Sequence, residues 1–180
     1  MKVLVIQQRY GIGDMVIFTP YFQALSEKIG HPLTVLAKKS SRASDLFEDD
    51  KHINNIIDLN YEKDGIKGFL NLSKEIRKWN FDKVFIFNGS LRYFLLAKFC
   101  GIKEIHQYPL FTSKDVIFQT AKVFTERYLG KIISSQPKIN LNSSRIEEAM
   151  KNFNFNKNFK HVVLGVSASG PTKRWDINNY

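Results

Sequence analysis

Apolar residues in this chain follow two alternating rhythms. Short, nearly continuous runs within Lys2–Gln7, Pro32–Ala37, Ile53–Leu59 and Asp82–Phe87 predict strands buried on both faces, and "KEIHQY" (Lys103–Tyr108) predicts a weaker fifth. Between them the spacing turns helical. "PYFQALSEKIG" predicts a helix with Thr19 as N-cap, Pro20 in the first helical position and Gly30 at the stop. "SSRASDLFED" predicts a short helix, and "IKGFLNLSKEIRKWN" places Phe69, Leu72, Ile76 and Trp79 on one face. "SLRYFLLAKFCG" and "KDVIFQTAKVFTERYLG" complete the set, each closed by a glycine, Gly101 and Gly130. Strand and helix in alternation imply an α/β fold: a parallel sheet with helices on both faces, in a Rossmann-like layout.

After Gly130 the rhythm breaks. Lys131–Ser144 is polar and holds a proline, as a linker does. Beyond it come a helix, "SSRIEEAMKNF", the Asn/Phe-rich loop "NFNFNKNF", an apolar strand, "HVVLGVS", and the turn "ASGPTKRW". One strand and one helix cannot bury a core alone. The expected organisation is therefore a Rossmann-like domain over 1–130, a linker over 131–144, and from 145 to 180 the opening of an incomplete second domain.

Composition narrows the classes. No apolar run reaches the ~18 residues of a membrane span, and the N-terminus lacks a signal-peptide cleavage site. The single cysteine, Cys100, excludes an intrachain disulfide framework and suits a reducing compartment, so a cytoplasmic protein is expected. The net charge is +10, carried unevenly: residues 1–90 hold 13 basic and 11 acidic side chains, residues 91–180 hold 14 and 6. Such an excess favours anionic partners, among them a phosphorylated small molecule or an anionic membrane face. The longest basic runs are pairs, such as Lys38–Lys39 and Lys173–Arg174, too short for nucleic acid to be expected.

The candidate chemistry starts at "QQRYGIGDMVIFTP". Gly11 and Gly13 begin a G-x-G-x-x-G fingerprint, but Val16 stands where the third glycine belongs, and Asp14 would face the pyrophosphate. No G-K-[ST] follows, which excludes a P-loop. Two readings of Asp14 stand level: it caps a helix, or it sits at the carboxyl edge of the first strand as a base for a substrate hydroxyl. In either case Gly11 and Gly13 let the backbone turn tightly and a bulky ligand approach. Arg92 opens a helix on the same edge, where it either meets an anionic ligand or is simply solvated. In "SASGPTKRWDINNY", Lys173 and Arg174 lie on a strand-to-helix loop, which suits phosphate, although on the residues alone an ordinary loop with solvated charges is favoured. His31, His52, His106 and His161 lack ligand spacing, so no metal site is expected, and Cys100 reads as core packing.

Three motifs in order resemble the family 9 glycosyltransferases, the ADP-heptose:lipopolysaccharide heptosyltransferases. "VLVIQQRYGIGDMVIFTPYFQAL" is similar to their N-terminal signature through Arg9, Gly13, Asp14, Thr19 and Pro20. "FNGSLRYFLLAKFCGIKEIHQY" resembles their segment after the fourth strand, and "VVLGVSASGPTKRWDINNY" the motif that opens their second domain. The resemblance implies a GT-B enzyme performing an inverting transfer, with Asp14 as general base. It places Arg9, Gly11, Gly13 and Arg92 on the acceptor side and Lys173 and Arg174 at the leaving diphosphate. It further implies an ADP-heptose-type donor, a lipid-linked core saccharide acceptor at the anionic inner membrane, and no metal or other cofactor. Family members run to about twice this length, so the chain alone is expected to lack most of the donor domain and to be inactive. Two other readings compete: a non-catalytic module for anionic glycans, and a nucleotide-dependent oxidoreductase. The latter is weakened by the missing third glycine and by "LAKK", where NAD would want an acidic residue.

Overall fold

The computed structural model describes residues 1–60, 65–109, 117–156, 158–163 and 176. Five strands form one parallel sheet: β1 (Val3–Gln7), β2 (Leu33–Lys38), β3 (Ile53–Leu59), β4 (Lys83–Ile86) and β5 (Glu104–Gln107), in the order β3-β2-β1-β4-β5. β1 is central, and its Val5 lies between Val35 of β2 and Phe85 of β4. The five residues of β1 are all buried, which is why its sequence is apolar on both faces.

The two faces carry separate cores. Val3 and Val5 point to one built with α1 (Ile12–Ile29) and α5 (Ile117–Leu129), and it includes Phe18, Phe22 and Phe87. Leu4 and Ile6 point to the other, formed with α3 (Gly65–Trp79) and α4 (Leu91–Phe99). Within α3, Leu72 and Ile76 are fully inside while Phe69 and Trp79 flank them, so the helical face read from the sequence is the one that packs. The Rossmann-like α/β expectation holds.

Element boundaries depart from expectation in four places. α1 begins at Ile12, so Thr19 and Pro20 lie inside it rather than at its start. Proline cannot donate to the carbonyl four residues back, that of Val16. The Thr19 hydroxyl donates to that oxygen instead, at 2.9 Å, and so repairs the gap that makes Thr-Pro look like a helix start. Second, "SSRASDLFED" forms a single turn of 3₁₀ helix (Lys39–Ser41) and a short α2 (Ala43–Leu46). Third, residues 131–141 are ordered against α1: Lys138 N donates to Thr19 Oγ1 (3.3 Å) and Gln23 Nε2 donates to Lys138 O (3.1 Å). Fourth, His161–Val163 take no strand conformation, and the rest of "HVVLGVS" lies outside the described residues.

The chain divides into two compact units, Met1–Leu141 and Asn142–Tyr180. In the second, α6 (Ser143–Asn152) is capped by Asn142, whose Oδ1 accepts from Arg145 N at 2.8 Å, and buries none of its residues.

Candidate functional site at the carboxyl edge of the sheet

The connection after β1 leads to β2 on one side, whereas β4 lies on the other side of β1. Chain direction therefore diverges at the carboxyl ends of β1 and β4, the topological switch point where open α/β sheets bind ligands. Two turns meet there: Gln8–Gly11 leading into α1, and Phe87–Ser90 leading into α4.

In the first turn Gly11 is the N-cap of α1, with extended backbone (φ −89°, ψ 148°) and no side chain to offer the helix. Asp14 follows in the first helical turn. Its Oδ2 lies 3.2 Å from where a Cβ on Gly11 would stand, so the carboxylate folds back over the glycine. It is half-buried and makes no hydrogen bond or ion pair with any described residue. The exposed amide ends and dipole of α1 favour this negative charge. They also mean that the anion position of the helix is filled by the protein itself, which disfavours a pyrophosphate there.

The expected need for glycine torsions is not met: neither Gly11 nor Gly13 adopts positive φ, because the helix starts directly at Ile12. Gly11 instead leaves room for the Asp14 carboxylate. Around Gly13 a Cβ would meet nothing within 4 Å, so that side of the turn is open.

The second turn is rigid. Ser90 caps α4, its Oγ accepting from Arg92 N at 3.3 Å, and Asn88 Oδ1 accepts from Ser90 N at 2.7 Å. From the end of β5, Gln107 Nε2 donates to the carbonyls of Asn88 and Ser90, 2.9 Å each. Tyr93 Oη donates to Gln8 Oε1 at 2.6 Å, joining α4 to the β1 turn. Arg92 is half-buried and its guanidinium donates to Gly65 O at 3.5 Å, while Arg9 is exposed and its backbone N donates to Gln7 Oε1 at 2.9 Å.

Three buried polar atoms along this edge have no partner among the described residues: Gln7 Nε2, Asn60 Oδ1 and Tyr108 Oη. They stand at or just beyond the ends of β1, β3 and β5. Buried groups of this kind are few in native proteins, and each calls for an explanation, such as water or ligand. Burial pushes the Tyr108 phenol well above the ordinary tyrosine range; nearby Tyr21 adds to this and Arg9 opposes it. Tyr108 thus keeps a neutral hydroxyl at ordinary pH. Beside Asn60 a cleft of about 190 Å³ is lined by Tyr10, Lys38, Lys39, Ser40 and Leu59, with the Lys38 ammonium 5.0 Å from the Tyr10 ring centroid.

Arg9, Gly11, Gly13, Asp14 and Arg92 thus share one sheet edge, whereas Lys173 and Arg174 lie outside the described residues. Gln7, Gln8, Asn60, Asn88, Gln107 and Tyr108 are absent from the sequence reading of the site. Their one signal is position, since each lies at or just past the carboxyl end of a predicted strand.

No protein-family model matches the chain, and no curated protein sequence does. Solved structures do. The glycosyl transferase family 9 from Veillonella parvula DSM 2008 aligns over 97% of this chain and 56% of its own, with TM-score 0.69 at 14% identity. E. coli ADP-heptose lps heptosyltransferase II aligns over 87% and 52%, with TM-score 0.64 at 15% identity. The E. coli heptosyltransferase WaaC with ADP-2-deoxy-2-fluoro heptose aligns over 98% and 62%, with TM-score 0.64 at 11% identity. The chain spans between 52% and 62% of the length of these three structures. Its fold is the Rossmann-like α/β fold seen in family 9 and heptosyltransferase structures of the GT-B type.

Proposed function

We propose that this chain is the acceptor-side part of an inverting, heptosyltransferase-type glycosyltransferase, with Asp14 as the base. The observation that carries the reading is the Asp14 carboxylate, held over Gly11 at the switch point and without a partner among the described residues. A base must come within hydrogen-bond reach of the substrate hydroxyl, and a half-buried carboxylate at the ligand edge can do so. The acceptor is a saccharide with anionic groups, drawn by the exposed Arg9 and oriented by Gln7 Nε2 and Tyr108 Oη, buried unpartnered atoms of the same edge that acceptor binding uncovers. Asp14 takes the proton of the attacking hydroxyl as its oxygen bonds to the anomeric carbon of a nucleotide-sugar, and the nucleoside diphosphate leaves from the opposite face. An ADP-heptose donor and a lipopolysaccharide-core acceptor are the substrates that the fold resemblance favours. Lys173 and Arg174 fall to the leaving diphosphate, whose growing charge needs cations. Arg92 has a smaller part than the sequence suggests, because its guanidinium is engaged at Gly65.

The test uses the chain joined to a donor-binding domain of the same fold. Asp14→Asn should lower transfer by about 10²–10⁴ while the melting temperature and acceptor affinity stay put. Transfer that survives in the folded variant rules Asp14 out as the base. In the 180-residue chain alone, saccharide binding should weaken with Arg9→Ala and not with Asp14→Asn.

A further inference from the structure

We propose that the outward surface shared by α3 and α4 docks on an anionic lipid bilayer. On α4, Leu91, Leu95 and Phe99 repeat every four residues and are exposed, where an ordinary surface helix would show polar side chains. On the adjoining α3, Ile66 and Leu70 are exposed one turn apart, Ile66 at 84%. The helices lie side by side. Arg92 reaches Gly65, the Phe69 and Phe99 rings are 5.7 Å apart, and the Arg77 guanidinium stands 4.3 Å from the Phe99 ring centroid. The five apolar side chains therefore fall along one seam; the opposite layer also exposes apolar side chains, Ile12 on α1, Phe118 and Val123 on α5 and Ile132, Ile139 and Leu141 after it, but none of these recurs at one-turn spacing along a helix.

Charge decides what covers the seam. α3 and α4 carry Lys67, Lys74, Arg77, Lys78, Arg92 and Lys98 against one acidic residue, Glu75. Four of the six cations are lysines. Lysine is depleted where proteins bury surface against proteins, yet it suits a bilayer, where its stem lies along apolar surface and its ammonium meets lipid phosphate. No helix of the described residues is long and apolar enough to cross a membrane, so the contact is lateral. Both helices begin at the carboxyl edge of the sheet, so Ile66 and Leu91 place the lipid surface beside the Asp14 crevice. This extends the reading of a lipid-linked acceptor but is tested without any saccharide.

The experiment sediments the full 180-residue chain with vesicles of phosphatidylglycerol and phosphatidylethanolamine, and with vesicles of phosphatidylcholine alone. The chain should bind the anionic vesicles, more weakly as salt rises, and bind the neutral ones at least tenfold less. Leu95→Asp should weaken anionic-vesicle binding at least tenfold, and Lys74→Gln and Lys78→Gln by about fivefold each. All three sites are exposed or on the solvent side of their helices, and thermal melts should be unchanged. Equal binding to both vesicle types, or wild-type binding by Leu95→Asp, overturns the proposal. So does finding that Leu95→Asp only abolishes self-association of the chain, which would assign the face to a second copy. Vesicle binding without saccharide binding would leave the docking surface standing and remove the acceptor reading.

Discussion

The two ends of the same five strands treat polar groups in opposite ways. At the amino edge they are paired. The Lys83 ammonium, nearly buried at the start of β4, donates to Tyr128 Oη at 2.7 Å and meets Glu104 at 2.9 Å, and Glu104 also holds His106 at 2.7 Å. At the carboxyl edge the Asp14 carboxylate, Gln7 Nε2, Asn60 Oδ1 and Tyr108 Oη are left without partners among the described residues. A buried charge without a partner is costly, so the amino edge closes its network around Lys83. Open groups are worth their cost only where something arrives to complete them, and here they gather at the edge that α/β sheets use for ligands.

The contrast is breakable. The largest stability effect should come from Tyr128→Phe, which removes a hydrogen bond from a nearly buried ammonium: about 2 kcal/mol lost in urea denaturation, with saccharide binding unchanged. Tyr108→Phe, the matching change at the other edge, should act in the opposite sense. Deleting an unpaired buried hydroxyl should raise stability by about 1 kcal/mol and weaken saccharide binding. A destabilised Tyr108→Phe would show that the hydroxyl has a protein partner, and the difference between the edges would disappear.

The smallest effect concerns pH. Hydrogen bonds to His106 and then to Lys83 hold the Glu104 carboxyl below the usual carboxylate range. Its contribution is therefore complete above the unfolded value of about 4.3 and is lost as pH falls through the lower native value. Glu104→Gln should cost under about 1 kcal/mol near neutrality, since Glu104 is half exposed. The gap between variant and wild type should close in strong acid, and a gap constant across the titration would contradict the pairing.

Much of this was legible in the residues. Continuous apolar runs gave the strands, because a strand covered on both faces has no polar side to show. Asp14 and Gly11 stood out because a carboxylate inside a glycine turn conflicts with the nucleotide pattern. The start of α1 was misread because proline is a sound local sign of a helix beginning, and the hydroxyl that offsets it acts through a backbone oxygen three residues away. Gln7, Gln107 and Tyr108 were invisible for a different reason. They become neighbours of the site only through the strand order, and pairing between distant segments leaves no local mark.

One oxygen atom also has a mechanical consequence. Thr19 Oγ1 sits at the proline notch of α1, donating to Val16 O while accepting from Lys138 N. It works as a rivet between that helix and the stretch by which the chain departs toward Asn142. Tension on that stretch would be delivered to α1 rather than to the sheet, about one and a half turns from Asp14. The load path out of the first unit thus runs through the helix that carries the Asp14 carboxylate.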